Sequence, residues 1–282
     1  MPELPEVETI RKGLEKYLIG HKIERVEIRY GKKFEGDEKK LIGGKVIAIR
    51  RFGKVQSIDL SNGYSIVIHI KLTGQLIYRG PNLKDPGKLS QKVLGGLEGK
   101  HTHVIFYLDR GGKLYFNDVR KFGWIYIVET KSVGKHKFIK KLGPEPLTNL
   151  TLEKFKEILK SSTQAVKTLL MNQNKISGVG NIYANDALWL AKINPKKTAR
   201  KLKEKETEDL YYSIIEVLRK GLKYGGASEL SYVTAEGEEG GYQSHTLVYD
   251  REGEVCSRCK KAKIKKIFLS GRGTYFCPIC QK

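Results

Sequence analysis

The chain has 282 residues, 39% of them hydrophobic, and carries 53 Lys+Arg against 31 Asp+Glu, a formal net charge of +22. That length suits two domains with real cores, and no apolar run approaches the roughly 18 residues of a membrane span. The basic excess points to a polyanionic partner, chiefly nucleic acid, against the plainer alternative of a lysine-rich, solubilising surface.

The opening residues, Met1-Pro2-Glu3-Leu4-Pro5-Glu6, are acidic and Pro-rich. They lack a basic stretch followed by an apolar one, so no signal peptide is expected and a cytoplasmic location is. Residues 5–19 predict a helix. Val7, Ile10, Leu14 and Leu18 recur at helical spacing, Gly20 stops it, Pro5 suits the first turn, and Glu6 and Glu8 suit the positive end of the dipole. Residues 22–128 then read as short strands. Val26–Ile28, Lys45–Ile49, Gln56–Leu60, Tyr64–Ile68 and Val104–Leu108 are β-branched or aromatic, and Ser61-Asn62-Gly63 and Arg110-Gly111-Gly112-Lys113 are turn signals. A long surface loop is expected over 79–101. The pattern changes near 130: a linker over 131–150 precedes helices at about 151–160, 164–172, 181–191 and 204–224. A Gly-, Ser- and Glu-rich stretch, 225–245, reads as a mobile loop. The expected fold is α+β. An N-terminal antiparallel β-sandwich with flanking helices occupies 1–130, a helical domain 151–255, and a tetracysteine β-hairpin 256–282.

The only four cysteines are Cys256, Cys259, Cys277 and Cys280, two Cys-x2-Cys pairs with a 17-residue spacer. Each pair can chelate through two thiolates on a tight turn, and two pairs complete a tetrahedron. Full sulfur coordination leaves no open position, so a single structural Zn2+ is expected rather than two disulfides. The spacer is basic and reads as a hairpin, strands 264–269 and 274–277 with Gly271-Arg272-Gly273 at the tip, suited to a phosphate.

Pro2 is small enough that Met1 is expected to be removed, which would leave a free secondary amine. An N-terminal amine has an ordinary pKa of about 7.7–8.0 against about 10.4 for lysine, so it offers more neutral nucleophile at neutral pH. Attack on a sugar aldehyde would give an iminium that cannot lose its charge at nitrogen, an electron sink for elimination. Glu3 could supply a proton. On residues 2 and 3 alone, the simpler reading is that they merely lead into a helix.

Met1-Pro2-Glu3-Leu4-Pro5-Glu6-Val7-Glu8-Thr9 resembles the opening of the bacterial formamidopyrimidine-DNA glycosylases. Asp118-Val119-Arg120-Lys121-Phe122-Gly123, Leu142-Gly143-Pro144-Glu145-Pro146-Leu147, Gly178-Val179-Gly180-Asn181-Ile182-Tyr183-Ala184 and Tyr275-Phe276-Cys277-Pro278-Ile279-Cys280-Gln281-Lys282 resemble further motifs of that family, in its order. The resemblance implies base-excision repair by a bifunctional DNA glycosylase/AP lyase. It would remove oxidised purines such as 8-oxoguanine and formamidopyrimidines, then cut the backbone by β- and δ-elimination. It implies damaged double-stranded DNA as partner, no membrane, and a monomer.

Residue by residue, it implies Pro2 as the nucleophile at C1′, Glu3 as the proton donor to the sugar, and Glu6 as a supporting carboxylate, which helix-dipole compensation explains equally well. Lys54, between two strands, corresponds to a lysine that contacts phosphate and assists β-elimination; alone it reads as a solvated turn lysine. Arg272 corresponds to the hairpin arginine that holds lesion phosphates and is implicated in δ-elimination. Leu72, Arg120 and Phe122 correspond to the residues that fill the hole left by a flipped base, with Arg120 facing the orphaned base, preferably cytosine. For Leu72 and Phe122, core packing is the alternative. Asn181 opens a helix in the family's helix–two-turn–helix element and would contact phosphate. His101 corresponds to a DNA-contacting histidine of the family, although a lone histidine is more often structural, and Lys167 is likewise expected to contact DNA. The chain departs from the family pattern at Leu72 (usually methionine), at Lys71 (glycine) and at Lys121 (arginine). A basic contact expected just before Lys167 falls in Ser161-Ser162-Thr163. Two other functions stay open: an endonuclease VIII-like enzyme for oxidised pyrimidines, against which Leu4-Pro5 argues, and a non-enzymatic DNA-binding zinc protein.

Overall fold

The structure, a computed structural model, describes residues 1–83 and 87–282; part of the expected 79–101 loop, at 84–86, lies outside the described residues. The chain forms two compact units, Met1–Lys140 with Leu222–Gln243, and Lys141–Gly221 with Ser244–Lys282. This division differs from the expected boundaries at 130 and 150. The segments 131–140 and 222–243 both belong with the N-terminal unit.

In the first unit, helix α1 (Leu4–Leu18) is followed by strands β1 (Ile23–Ile28), β2 (Phe34–Glu35), β3 (Val46–Phe52), β4 (Val55–Leu60), β5 (Tyr64–His69), β6 (Gly74–Arg79), β7 (Thr102–Leu108), β8 (Lys113–Asp118) and β9 (Trp124–Glu129). They make a four-stranded sheet, order β1-β7-β8-β6, and a five-stranded sheet, order β2-β9-β5-β4-β3. All pairings are antiparallel except the two-residue β2–β9 contact, which is parallel. One core joins both sheets to the helix: Ile58, Ile66 and Ile68 from one sheet, Leu76, Val104 and Phe106 from the other, and Val7, Ile10, Leu14 and Leu18 from α1. The i, i+3, i+4 apolar spacing of α1 therefore lays its stripe against the sandwich. Tyr232 and Ala235, from the stretch read as a mobile loop, join that core. The stretch is tied down by backbone bonds as well, Tyr78 N donating to Ala235 O and Ser90 N to Gly237 O.

In the second unit, α2 (Leu152–Lys160), α3 (Val166–Leu170) and α4 (Asn181–Leu190) precede α5 (Glu204–Lys223) and the hairpin β10 (Lys265–Leu269) and β11 (Arg272–Phe276). The hairpin register pairs Leu269 with Arg272, so the turn is Ser270-Gly271 and not the expected Gly271-Arg272-Gly273. Both turn residues have positive φ, 49° and 71°, the conformation that a tight two-residue hairpin turn requires. Arg272 is the first residue of a strand, where cross-strand pairing holds its backbone. No described helix is long and apolar enough to cross a membrane.

Candidate nucleic-acid interface

Two groups of candidate residues emerge, one in each unit. The first is the N-terminal corner. Glu3 and Glu6 form a capping box at the start of α1, and Glu3 N donates to Glu6 Oε2 at 2.7 Å. Glu6 does more than offset the helix dipole. Its Oε1 accepts the backbone N–H of Ala227 at 2.8 Å, so one buried carboxylate ties the N-terminal residues to the 225–245 stretch. Gly226 makes this approach possible. It has φ +83°, and a Cβ there would lie 2.8 Å from Glu6 Cγ.

Lys54 sits in the two-residue turn between β3 and β4, beside Gly53 at φ +55°. It is only 4% exposed, which rules out the solvated turn lysine. Charges from Glu3, Glu6, Lys54 and Glu229 all act on the terminal amine of Met1. Burial holds that amine below its ordinary value and Lys54 pushes it the same way, while the three carboxylates oppose. With Met1 in place the Pro2 nitrogen is an amide; removal of Met1 would put a secondary amine into this setting. Sequence reasoning missed Glu229, which lies in a stretch whose composition shows only turn residues.

Close by, His69 is driven down to about 3 by burial, with the charges of Lys71 and Lys54 adding. It is therefore neutral at pH 7, and its Nδ1 accepts the Lys71 N–H at 3.0 Å. That bond shapes the turn bearing Leu72. Arg120 is exposed, and its guanidinium carbon lies 4.8 Å from the centroid of the Phe122 ring. Phe122 is 47% exposed, so it is not a core residue; Leu72 is half-buried. His101 is half-buried, and its carbonyl accepts the Asp118 N–H at 2.9 Å.

The second group lies in the other unit. Asn181 is the first residue of α4, after Gly178 at φ +88°. Gln173 shapes this glycine loop, donating to Val179 O at 2.7 Å and accepting from Gly178 N at 2.9 Å. The first-turn N–H groups of α4 are the kind of donors that hold an anion. The hairpin is fastened to the same helix. Asn185 Oδ1 accepts Tyr275 N at 2.8 Å, and Arg258 donates to Trp189 O and Leu190 O at the helix's C-terminal end. Arg272 is exposed at the hairpin turn.

Lys167 departs from expectation. It is 1% exposed, and its Nζ donates to Gly273 O at 2.8 Å and Thr274 Oγ1 at 2.7 Å. An ammonium buried on these acceptors holds the strand that begins with Arg272. Its ammonium faces these acceptors rather than the surface.

The four cysteine sulfurs lie within 4.8 Å of one another, with Cys256 and Cys280 at 3.9 Å and Cys259 and Cys277 at 3.7 Å. Sulfurs about 2.3 Å from a tetrahedral zinc are about 3.8 Å apart, so the set fits the ion and not disulfides, whose sulfurs are about 2.05 Å apart. Burial pushes the Cys256 thiol up, yet the backbone N–H groups of Cys259 and Arg258 outweigh it and bring the thiol down to about 6. That favours the thiolate at Cys256. Burial first of all pushes the Cys277 thiol up and the Cys280 thiol up to about 12, so those two must give up their protons as the metal binds. The protein holds one structural zinc here.

Comparison with known proteins agrees along the length of the chain. Residues 1–125 match the formamidopyrimidine-DNA glycosylase N-terminal domain, 142–232 its H2TH domain, and 253–282 the zinc finger found in FPG and IleRS. The formamidopyrimidine-DNA glycosylase of Pelotomaculum thermopropionicum is 40% identical over 100% of this chain and 99% of its own length. That of Lactococcus lactis subsp. cremoris is 39% identical over 100% of both. Among solved structures, wild-type Lactococcus lactis Fpg with DNA containing N7-benzyl-Fapy-dG superposes with a TM-score of 0.86 at 37% identity, covering 100% of both chains. The same bacterium's Fpg with abasic-site DNA gives 0.85 at 37% identity over 99% of each.

Proposed function

Because this chain belongs to the formamidopyrimidine-DNA glycosylase family, we propose that it removes oxidised purines, 8-oxoguanine and formamidopyrimidines, from duplex DNA and then cleaves the strand at the resulting site. The observation that carries the reading is the N-terminal corner: the terminal amine, on Met1, held below its ordinary value by desolvation beside the buried Glu3, Glu6 and Lys54, with the charge of Glu229 also acting on it. Once Met1 is removed, the Pro2 nitrogen attacks C1′ of the damaged nucleotide. Its lone pair forms the C1′–N bond as the bond to the base breaks, the base leaving with a proton. The nitrogen then gives up its own proton, Glu3 protonates the ring oxygen O4′, and the C1′–O4′ bond opens as the nitrogen lone pair closes the C1′=N bond. The nitrogen carries two carbon substituents before attack, so the product is an iminium that keeps its positive charge. Loss of a C2′ proton delivers its electron pair into that sink and expels the 3′-phosphate, by β-elimination; loss of the C4′ proton from the resulting unsaturated iminium then expels the 5′-phosphate, by δ-elimination. Lys54 contacts phosphate beside the lesion and assists the first elimination.

Glu6 keeps the corner in shape by holding Glu3 N and Ala227 N together. Leu72, Phe122 and Arg120 fill the space vacated by the flipped base, with Arg120 against the orphaned base, offsetting part of the few kcal/mol that unstacking costs. Asn181, His101 and Arg272 contact DNA, Arg272 at the lesion phosphates. The protein acts as a monomer in the cytoplasm, at the nucleoid.

Borohydride trapping on duplex DNA with 8-oxoguanine opposite cytosine tests this reading. Chain shown by mass spectrometry to lack Met1 should form a covalent adduct, and chain retaining Met1 should form none. Absence of an adduct from the processed chain would overturn the mechanism. Faster excision of thymine glycol than of 8-oxoguanine would move the substrate class to oxidised pyrimidines.

A further inference from the structure

The residues read above as wedges stand on two separate turns. Leu72 lies between β5 and β6; Arg120 and Phe122 lie between β8 and β9. Each turn contains a lysine in the left-handed region, Lys71 at φ 52° and Lys121 at φ 57°. Side chains rarely adopt that conformation unless the surroundings hold it. One group holds both turns. Asp118, 1% exposed, ends β8 directly opposite Gly74 at the start of β6. Its Oδ1 accepts the Thr73 hydroxyl, from the first turn, and the Arg120 N–H at 3.2 Å, from the second. Its Oδ2 accepts the Gly123 N–H at 2.7 Å, closing the second turn. Thr73 Oγ1 in turn accepts the Arg120 N–H at 3.0 Å, so the two turns are also joined directly. From behind, His103 Nε2 lies 2.6 Å from the Asp118 carbonyl. Gly123 lets the second turn close, since a Cβ there would lie 2.8 Å from Phe116 Cζ and 3.1 Å from Asp118 Oδ2.

Every partner of this carboxylate donates, and its two oxygens serve both turns. We propose that Asp118 is a positioning residue that makes the Leu72 turn and the Arg120–Phe122 turn one preorganised unit for evicting the damaged base. Side chains that enter the stack offset the cost of evicting a base only when they are placed to fill the space it leaves. A unit already held in that arrangement does not have to order itself during the step. The proposal rests on the reading of Leu72, Arg120 and Phe122 as wedges.

Asp118→Asn keeps the shape but replaces one acceptor oxygen by an NH2 group, which faces a donor whichever way it is turned. Single-turnover excision of 8-oxoguanine opposite cytosine should fall roughly tenfold, the scale of one charge-assisted hydrogen bond. Cleavage of a preformed abasic site, with no base to evict, should stay within about twofold, because only the wedge step has been altered. The preference for cytosine over adenine opposite the lesion should shrink, because the Arg120 backbone is released. Thr73→Val should shift excision the same way, and Thr73→Ser should restore it. A wild-type excision rate in Asp118→Asn, or an equal loss on both substrates, would overturn the proposal. If Asp118→Asn does not fold, the threonine pair decides, and Thr73→Val indistinguishable from wild type on both substrates counts against the clamp. Leu72→Ala tests the underlying reading. If it excises normally, the wedge assignment fails; if it is slow while Asp118→Asn is not, only the clamp fails.

Discussion

The N-terminal corner and the zinc hairpin do their parts by opposite means. In the corner, the charged groups are withdrawn from water: Glu3, Glu6 and Lys54 are all buried, and their charges act on one amine. At the hairpin, burial serves only the scaffold, Cys256, Cys277 and Lys167, while Arg272 is left exposed. The contrast follows from the chemistry. A nucleophile requires a perturbed amine, and perturbation comes from burial and close charges. A phosphate contact requires a charge that stays accessible and keeps its position, which a rigid turn supplies. Breaking each region should therefore look different.

The largest effect should come from the metal. Cys277→Ala removes a ligand and should release the zinc, whose binding is worth about 10–16 kcal/mol of folding energy in small zinc modules. Lesion-DNA incision should fall more than about a hundredfold, with DNA binding lost in parallel, since several charge-assisted contacts go together. The N-terminal unit should keep its β-sheet signal in circular dichroism. Retained incision with zinc absent by metal analysis would mean that the hairpin contributes only scaffold. Lys54→Ala, in the other region, should spare folding of the hairpin and zinc content. Lys54 lowers the Met1 amine and should act in the same sense on the Pro2 amine left when Met1 is removed, so its removal should raise that amine and leave less of it unprotonated at a given pH. Adduct formation at pH 7 should drop, and its rising limb should move to higher pH. A lower rate with an unmoved limb would make Lys54 a phosphate contact alone.

The two regions also differed in how far they could be read from the chain. Metal coordination writes itself locally, and two Cys-x2-Cys pairs announce a tetrahedron before any fold is known. Regular patterning also survived: the apolar spacing of α1 and the short β-branched runs predicted elements that the structure contains. The corner resisted because its residues meet only after folding. Glu6 reaches Ala227 across 221 positions, and Lys54 is buried in a turn that composition alone would place in solvent. The family resemblance named these residues, but the physical reasons lie in three-dimensional neighbours. Glu229, His69 and Asp118 were missed for the same cause, since each looks like an ordinary polar residue next to a turn. The 225–245 stretch misled through its glycines. Here Gly226 marks a close approach to Glu6, and composition cannot tell such an approach from slackness.

Lys167 sharpens the comparison most finely, because it brings the corner's strategy, a buried charge, into the hairpin. Lys167→Met keeps the length of the side chain and deletes the ammonium, leaving Gly273 O and Thr274 Oγ1 short of a donor. A buried acceptor deprived of its partner costs about 1–3 kcal/mol, so the second unit should melt at lower temperature. The consequence for DNA should be smaller, a few-fold loss of affinity as the Arg272 strand loosens. The salt dependence separates the two possible roles. A lysine that neutralises a phosphate releases a counterion, and losing it would flatten the slope of log K against log salt by about 1. An anchor inside the protein contacts no phosphate, so the slope should be unchanged while affinity drops equally at every salt concentration. A flattened slope would return Lys167 to the DNA interface. An unchanged slope, together with lower stability, would show that the exposed arginine at the turn is held in place by a charge that never meets the nucleic acid.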